Sequence, residues 1–443
     1  MFSKLLLPKV IIVLIAVYFI YTSVDHSGRN YILNGYTDKM SGFPGDTIKM
    51  FIQPNKEYKK AYFPLYDILD NKKDVIVSSA YLQTPNTEFP WSQGFNYKPT
   101  LSYIIPEYLK SGIYILEKKI PFIVKNPAPA EIVIVYPFNS INLNSDVGGK
   151  SFYFFNSSDN IPSDTLSFER PYTIGIDSYI KAFFLWINKY EYPINYIADT
   201  DLDESSTFDY AKIVIIPGES CSWTRKAREN FDNYISNGGN AIILSANSMF
   251  WSSRYNEKKD KLIVYKNSIE DPYKKDPTGP WEEKNFSAQK SIITAYEHGG
   301  YPSHSDKNFG GFKIIKSSSP LLAGTNIKKE DTLKISNRFV DGLLLKIKRH
   351  SSGAEITVKD PYFLNCYKKE LIGIEIAFQN GNPKNGAFIV AQKTKESGVI
   401  INTSSSDWCS ANGIGGKDSL KIQKITLNMI SLLLNGHDVF SSE

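Results

Sequence analysis

Between residues 211 and 254, apolar runs and polar turns alternate in blocks: AKIVIIPGESCSWTRKARENFDNYISNGGNAIILSANSMFWSSR. Residues 211–217 and 240–245 are short continuous apolar runs, the pattern required of parallel strands buried on both faces. Between them Ala227, Phe231, Tyr234 and Ile235 fall at i, i+4, i+7 and i+8. They mark one stripe of a helix entered through Thr224 and stopped at Asn237-Gly238-Gly239. The segment therefore predicts a βαβ unit, and in an open sheet of that kind ligands collect beyond the carboxyl ends of the strands. Glu219, Ser220, Cys221, Ser222 and Trp223 follow the first strand; Ala246, Asn247 and Ser248 follow the second.

The same alternation runs from Glu131 to the end of the chain. EIVIVYP, FIVAQK and GVIINTS read as further strands, and Tyr179, Ala182, Phe183, Trp186 and Ile187 share one helical face after Asp177-Ser178. A last helix begins near Asp418 and closes at Asn435-Gly436. Residues 255–393 are less regular and read as an insertion on the sheet, placed over its carboxyl edge as a lid.

Residues 25–126 differ in texture. Short alternating runs (TIKMFIQ, DVIVSSAYL, GIYILEKKIPFIV) are separated by the turn signals PGD, DNKKD and KSG, with no sustained 3.6 period. They predict an antiparallel β-sandwich of the immunoglobulin-like class, ending at the linker Asn126-Pro127-Ala128-Pro129-Ala130. Tyr62, Phe63, Trp91, Phe95 and Tyr97 are read as its core rather than as a sugar platform. Upstream, Lys4 and Lys9 precede the uncharged run VIIVLIAVYFIYTSV, so residues 1–24 read as a transmembrane anchor or signal. The positive flank stays inside, which places the body (residues 25–126, then 127–443) on the extracytoplasmic side.

Composition narrows the partners. At 443 residues the chain has room for two domains, and 51 basic against 46 acidic residues, spread along its length, argue against nucleic acid. Cys221, Cys366 and Cys409 include no CxxC pair and cannot make a disulfide framework. Cys221 has two readings: a nucleophile whose pKa a helix N-terminus lowers, or a small buried side chain. Asp407 and Trp408 close the final strand and are placed at the pocket wall.

Seven segments occur in one order: NSDVGGKSFYFF, SFERPY, YIADTDLDE, PGESCSWT, NGGNAIILSANSMFW, AYEHGGY and NTSSSDW. That order resembles the large (beta) subunit family of N,N-dimethylformamidase over roughly residues 30–435. The resemblance implies a β-sandwich followed by a flavodoxin-like domain related to class I glutamine amidotransferases. It also implies an amidase whose iron is held by two tyrosines and a glutamate. The chain departs from that set. Where the family has a GHxEYW-like turn it reads GESCSW, with Glu219 at the histidine and Ser222 at the tyrosine, and Asn144 stands at the other tyrosine position. The family's GExGGLW-like segment corresponds to Glu297-His298-Gly299-Gly300-Tyr301, which keeps the carboxylate.

The chemistry of the side chains allows a rebuilt metal set: Glu219, Glu297 and His298 would give iron or zinc two carboxylates and an imidazole. The competing reading makes Glu219 a helix cap and His298 an ordinary loop residue. Two functions follow. One is hydrolysis of a C–N bond in a small amide or an amide-bearing glycan, assisted by a metal if one is bound, through Glu297, Glu219 or Cys221, in a cleft lined by Ser222, Trp223, Asn247, Tyr301 and Asp407. The other is a non-catalytic, membrane-anchored binding or envelope protein that has kept the fold and lost the iron tyrosines.

Overall fold

The computed structural model describes residues 31–172, 179–301, 310–350, 353–379 and 382–442; the apolar segment 1–24 lies outside them. Among the described residues no helix is long and apolar enough to cross a membrane.

The first eight strands are β1 (Ile32–Thr37), β2 (Ser41–Gly42), β3 (Thr47–Pro54), β4 (Tyr58–Asp67), β5 (Lys72–Ala80), β6 (Leu101–Ile104), β7 (Gly112–Leu116) and β8 (Ile120–Val124). They form a three-stranded sheet, β1-β3-β6, and a five-stranded sheet, β2-β8-β7-β4-β5. All pairs are antiparallel except β2 with β8. One core serves both sheets: Ile48, Met50 and Ile52 from one, Phe63, Leu65 and Phe122 from the other. Alternation in TIKMFIQ produces this, because every second side chain of a strand faces the same way. Of the five aromatics assigned to the sandwich core, Phe63 lies in it with Tyr62 packed on its margin. Phe95 and Tyr97 sit in a separate small cluster with Tyr36, and Trp91 packs against the core of the following region.

The remaining strands are β9 (Ile132–Tyr136), β10 (Thr165–Ser167), β11 (Ile194–Ala198), β12 (Ile213–Gly218), β13 (Ser222–Thr224), β14 (Asn240–Ser245), β15 (Trp251–Tyr255), β16 (Lys261–Ile263), β17 (Gly279–Pro280), β18 (Ala295–Gly300), β19 (Phe312–Ile314), β20 (Thr332–Leu333), β21 (Val340–Gly342), β22 (Leu345–His350), β23 (Gly353–Val358), β24 (Lys368–Gln379), β25 (Asn382–Gln392) and β26 (Val399–Asn402). Nine of them make one sheet in the order β11-β9-β12-β14-β26-β25-β24-β19-β20. From β11 to β26 neighbours run parallel; from β26 to β20 they run antiparallel.

The continuous apolar runs are explained by burial on both faces. In β12, Ile213 and Ile215 enter one core while Val214 and Ile216 enter the other; β9 divides Ile132 and Ile134 from Val133 and Val135 in the same way. The helix Arg225–Ser236 covers the second face with the stripe read from the sequence, Ala227, Phe231, Tyr234 and Ile235. Thr224 caps it, its hydroxyl accepting from Ala227 N at 3.0 Å, a bond of a kind contributing about 1 kcal/mol. The helix Ser419–Leu434 covers the first face through Ile422, Ile425, Met429 and Ile430. The helix expected after Asp177-Ser178 is Lys181–Ile187; its expected start falls outside the described residues.

Residues 255–393 are not simply a decoration. β19, β20, β24 and β25 extend the main sheet, and FIVAQK lies in β25, antiparallel to β26. The interior of β24 is buried from Ile372 to Glu375, so its pattern reads as neither a clean alternation nor a continuous apolar run.

Candidate functional site

Parallel strands deliver their following turns to one edge, and here those turns are bonded to one another. Ser140, after β9, accepts from Cys221 N at 3.0 Å. Ser245 Oγ, at the end of β14, accepts from Ser220 N at 3.2 Å and from Ser248 Oγ at 2.8 Å. Asn247 Nδ2 donates to Glu219 Oε1 at 3.1 Å. Asn247 has φ of 55°, a left-handed conformation that asparagine tolerates better than most side chains.

A segment from Asn337 to Gly342 crosses this edge. Asn337 Nδ2 donates to Glu375 Oε2 at 2.7 Å, Arg338 is paired with Asp407 at 2.9 Å, and Phe339 N donates to Ser406 Oγ at 2.9 Å. Asp341 takes Asn247 N on Oδ1 at 2.8 Å and Ser248 N on Oδ2 at 3.2 Å. The segment's last three residues are β21, paired antiparallel with β18, which carries Tyr296, Glu297 and His298. Only glycine fits at 299, because a Cβ there would lie 1.8 Å from Val340 O. The close pairing of β18 with β21 is thus the physical reason for that glycine of AYEHGGY.

A cavity of about 390 Å³ opens beside these strands, lined by Phe250, Tyr296, Glu297, Gly300, Tyr301, Asn382 and Lys384. Phe250 meets Tyr296 edge-on at 5.5 Å, and Phe339 stands 6.3 Å from Tyr296 and 6.2 Å from Tyr301. Lys384 Nζ donates to Glu297 O at 2.8 Å. Glu297 Oε2 is buried and has no hydrogen-bond partner among the described residues. Burial pushes the Glu297 carboxyl above the ordinary range, the nearby Glu282 adds to this, and Arg228 and Lys384 oppose it. Asp341, fully buried, is pushed up to about 7 by burial, with the Glu297 charge adding and its two backbone N–H donors opposing.

Glu375 on β24 is also pushed up to about 7 by burial. A carboxyl whose folded pKa exceeds its unfolded value keeps its proton in the folded chain where the unfolded chain has lost it. Its contribution to stability is complete below about 4.5 and is lost as pH rises through 7. Glu375→Gln keeps the shape without the titration, so the fall in melting temperature between pH 4.5 and 7 should be shallower than in the wild type. Parallel pH profiles would contradict the assignment.

The residues singled out by sequence separate into two groups. Glu219, Asn247, Glu297 and Tyr301 stand at this edge, the first two bonded to each other and the last two lining the cavity. The others are taken up by the interior. Ser222 lies in β13, paired with β15, and its buried Oγ has no hydrogen-bond partner among the described residues. Trp223 packs on Phe231 at 5.7 Å and donates from Nε1 to Ser220 O at 3.1 Å, so it belongs to the core under the helix. Asp407 is fully buried and anchors the crossing segment through Arg338, with Ser410 Oγ donating to it at 2.9 Å. It is no part of the cavity lining.

Of the two readings of Cys221, the structure has the small buried side chain and not the helix-activated nucleophile. The helix begins only at Arg225, with β13 in between, and burial followed by the charge of Glu219 pushes the thiol far above its ordinary value. All three cysteines are buried, so a thiol reagent such as iodoacetamide should modify none of them in the native protein and all of them after unfolding. Rapid native alkylation of Cys221 would contradict this placement.

Among the described residues no three His, Cys, Asp or Glu side chains gather as a group able to hold a metal ion. The set Glu219, Glu297 and His298 is therefore not assembled. His298 is held below its ordinary value by burial, which Asp360 opposes, and its carbonyl accepts from Asn385 Nδ2 at 3.3 Å. The tyrosine positions of the resemblance do not fit an iron site either. Ser222 is a buried hydroxyl, a poor replacement for phenolate, and Asn144 Nδ2 donates to Ser140 O at 3.0 Å within its own helix.

Sequence reading missed Asp341, Tyr296, Phe250 and Lys384. The available signal was the short run Phe339-Val340-Asp341-Gly342, a strand-like pair before a carboxylate, inside the segment read as irregular.

The sequence profile described as N,N-dimethylformamidase beta subunit-like, C-terminal, matches residues 73–417. No curated protein matches the chain. Among solved structures, a thua-like protein from Bacteroides uniformis ATCC 8492 is similar at 10% identity, covering 71% of this chain and 96% of its own, with a TM-score of 0.33.

Proposed function

Since the chain belongs to the N,N-dimethylformamidase beta subunit-like family, we propose that it hydrolyses the C–N bond of a small amide, or of an amide-bearing glycan, in the cavity beside β18. The observation that carries this reading is the neighbouring pair of carboxyls there. Asp341 is pushed up to about 7, in part by the charge of Glu297, and Glu297 lines the cavity with an oxygen that has no partner among the described residues. A carboxyl raised above its ordinary range by burial can take up a proton and give it back, which is what a general base in hydrolysis must do.

In this reading Glu297 accepts the proton of a water attacking the amide carbonyl and returns it to the leaving amine. Lys384 supplies positive charge toward the developing oxyanion. Phe250, Tyr296 and Tyr301 line the cavity and offer ring surface to the alkyl part of the amide. Asp341 acts through its hold on the Asn247 and Ser248 amides and through its effect on Glu297, as a positioning residue. Amine release from a panel of small amides beginning with N,N-dimethylformamide, compared between wild type and Glu297→Gln, tests the proposal.

A second reading is favoured by one observation: Ser222 and Asn144 stand where the resemblance implies iron tyrosines. In that case the cavity binds an amide or glycan without turning it over. Both readings place the body outside the cytoplasmic membrane, on the strength of Lys4, Lys9 and the uncharged run 10–24. They also take residues 25–126 as an immunoglobulin-like module and 127–443 as a flavodoxin-like, amidotransferase-related one.

A further inference from the structure

A groove of about 750 Å³ opens at the opposite edge of the nine-stranded sheet, where β12 and β14 begin. Strands of six residues rising about 3.3 Å each separate it from the candidate cavity by roughly 20 Å. Its floor is the stacked pair Phe208 and Tyr234, with ring centroids 5.0 Å apart. Gly239 lets the Tyr234 ring lie there, because a Cβ at 239 would come within 2.1 Å of it.

The walls are two helix ends. The helix Arg225–Ser236 brings Asn233 and Asn237, and the helix Ser419–Leu434 brings Leu433, Leu434 and Asn435. Asn230, Asn240 and Asn435 spend their amides on backbone carbonyls. Asn233 and Asn237, one helical turn apart and exposed, make no side-chain hydrogen bond among the described residues.

The chemistry of this lining selects its ligand. A side-chain amide offers a donor and an acceptor together, which a row of hydroxyls matches and an anion does not. Both helices present their C-terminal, negative ends, which repel anions and accept hydroxyl donors. The lining's one cation, Lys212, is already paired with Glu131 at 2.5 Å. Phe208 and Tyr234 are buried and stacked on each other, so the apolar contact open to the C–H face of a sugar is the half-buried Leu434 beside the amides. We propose that this groove binds a neutral oligosaccharide, independently of the amide site.

The test uses the full chain in a sugar-free detergent, titrated calorimetrically with maltohexaose, cellohexaose and xylohexaose, and with spermidine as the cationic alternative. The expected result is binding of at least one oligosaccharide, weakened tenfold or more in the double variant Asn233→Ala/Asn237→Ala. The double variant should melt with the wild type, since both residues are exposed, and its amine release should equal that of the wild type, because neither residue lines the amide cavity. Failure of all three sugars to bind, binding unchanged in the double variant, or binding of spermidine alone would overturn the proposal.

Discussion

Replacing Glu297 by Gln is expected to lower amide hydrolysis by about 10²–10⁴-fold, the range over which a positioned general base contributes. The melting temperature should stay at or slightly above that of the wild type. Glu297 costs the fold something as it stands: its Oε2 is buried without a partner among the described residues and burial raises its pKa. An isosteric amide removes that ionisation without changing the packing of Phe250 and Tyr296. The base form exists only above the raised pKa, so the acid limb of the wild-type kcat/KM profile should lie at higher pH than for an ordinary glutamate. Amine release measured in both proteins across pH checks both statements. An unchanged rate in the variant would make Glu297 structural and favour the binding reading.

Ile215→Asp is expected to lower the melting temperature more than any of the other substitutions. Ile215 is fully buried in the third of five parallel strands, paired with Ile134 on one side and Ile242 on the other. A carboxylate there has no partner and loses the burial of an isoleucine, a combined cost of about 4 kcal/mol or more. That is a large share of the roughly 5–15 kcal/mol that holds a native protein together. Ile269, which is 83% exposed, supplies the control: Ile269→Asp should melt as the wild type does. Equal melting of the two variants would reject the sheet placement.

Local patterning carried much of the parallel half of the sheet. Ile213–Gly218, Asn240–Ser245 and the helix between them are legible because each strand is continuous in apolar residues and the helix stripe repeats at its own period. The antiparallel half was not legible, for a reason visible in β24. Glu375 interrupts its apolar run, and the groups that make the carboxyl tolerable, Gly311 N and Asn337 Nδ2, come from 64 and 38 residues away. Pairing at that distance leaves no mark on local periodicity. The site divides in the same way. Turns after parallel strands could be placed at one edge, which gave Glu219 and Asn247, but the direction of side chains within a three-residue strand could not, which misplaced Ser222 and Trp223. Asp341 arrives from a segment that only tertiary structure brings across that edge.

In the proposed reaction the carboxyl groups beside β18 hydrolyse an amide without a metal. This is tested most directly by amine release from the small-amide panel, using the purified full chain before and after exhaustive chelation. Release at the same rate after chelation is the predicted result. Absence of release before chelation, or its loss on chelation and return with added iron or zinc, would contradict the account.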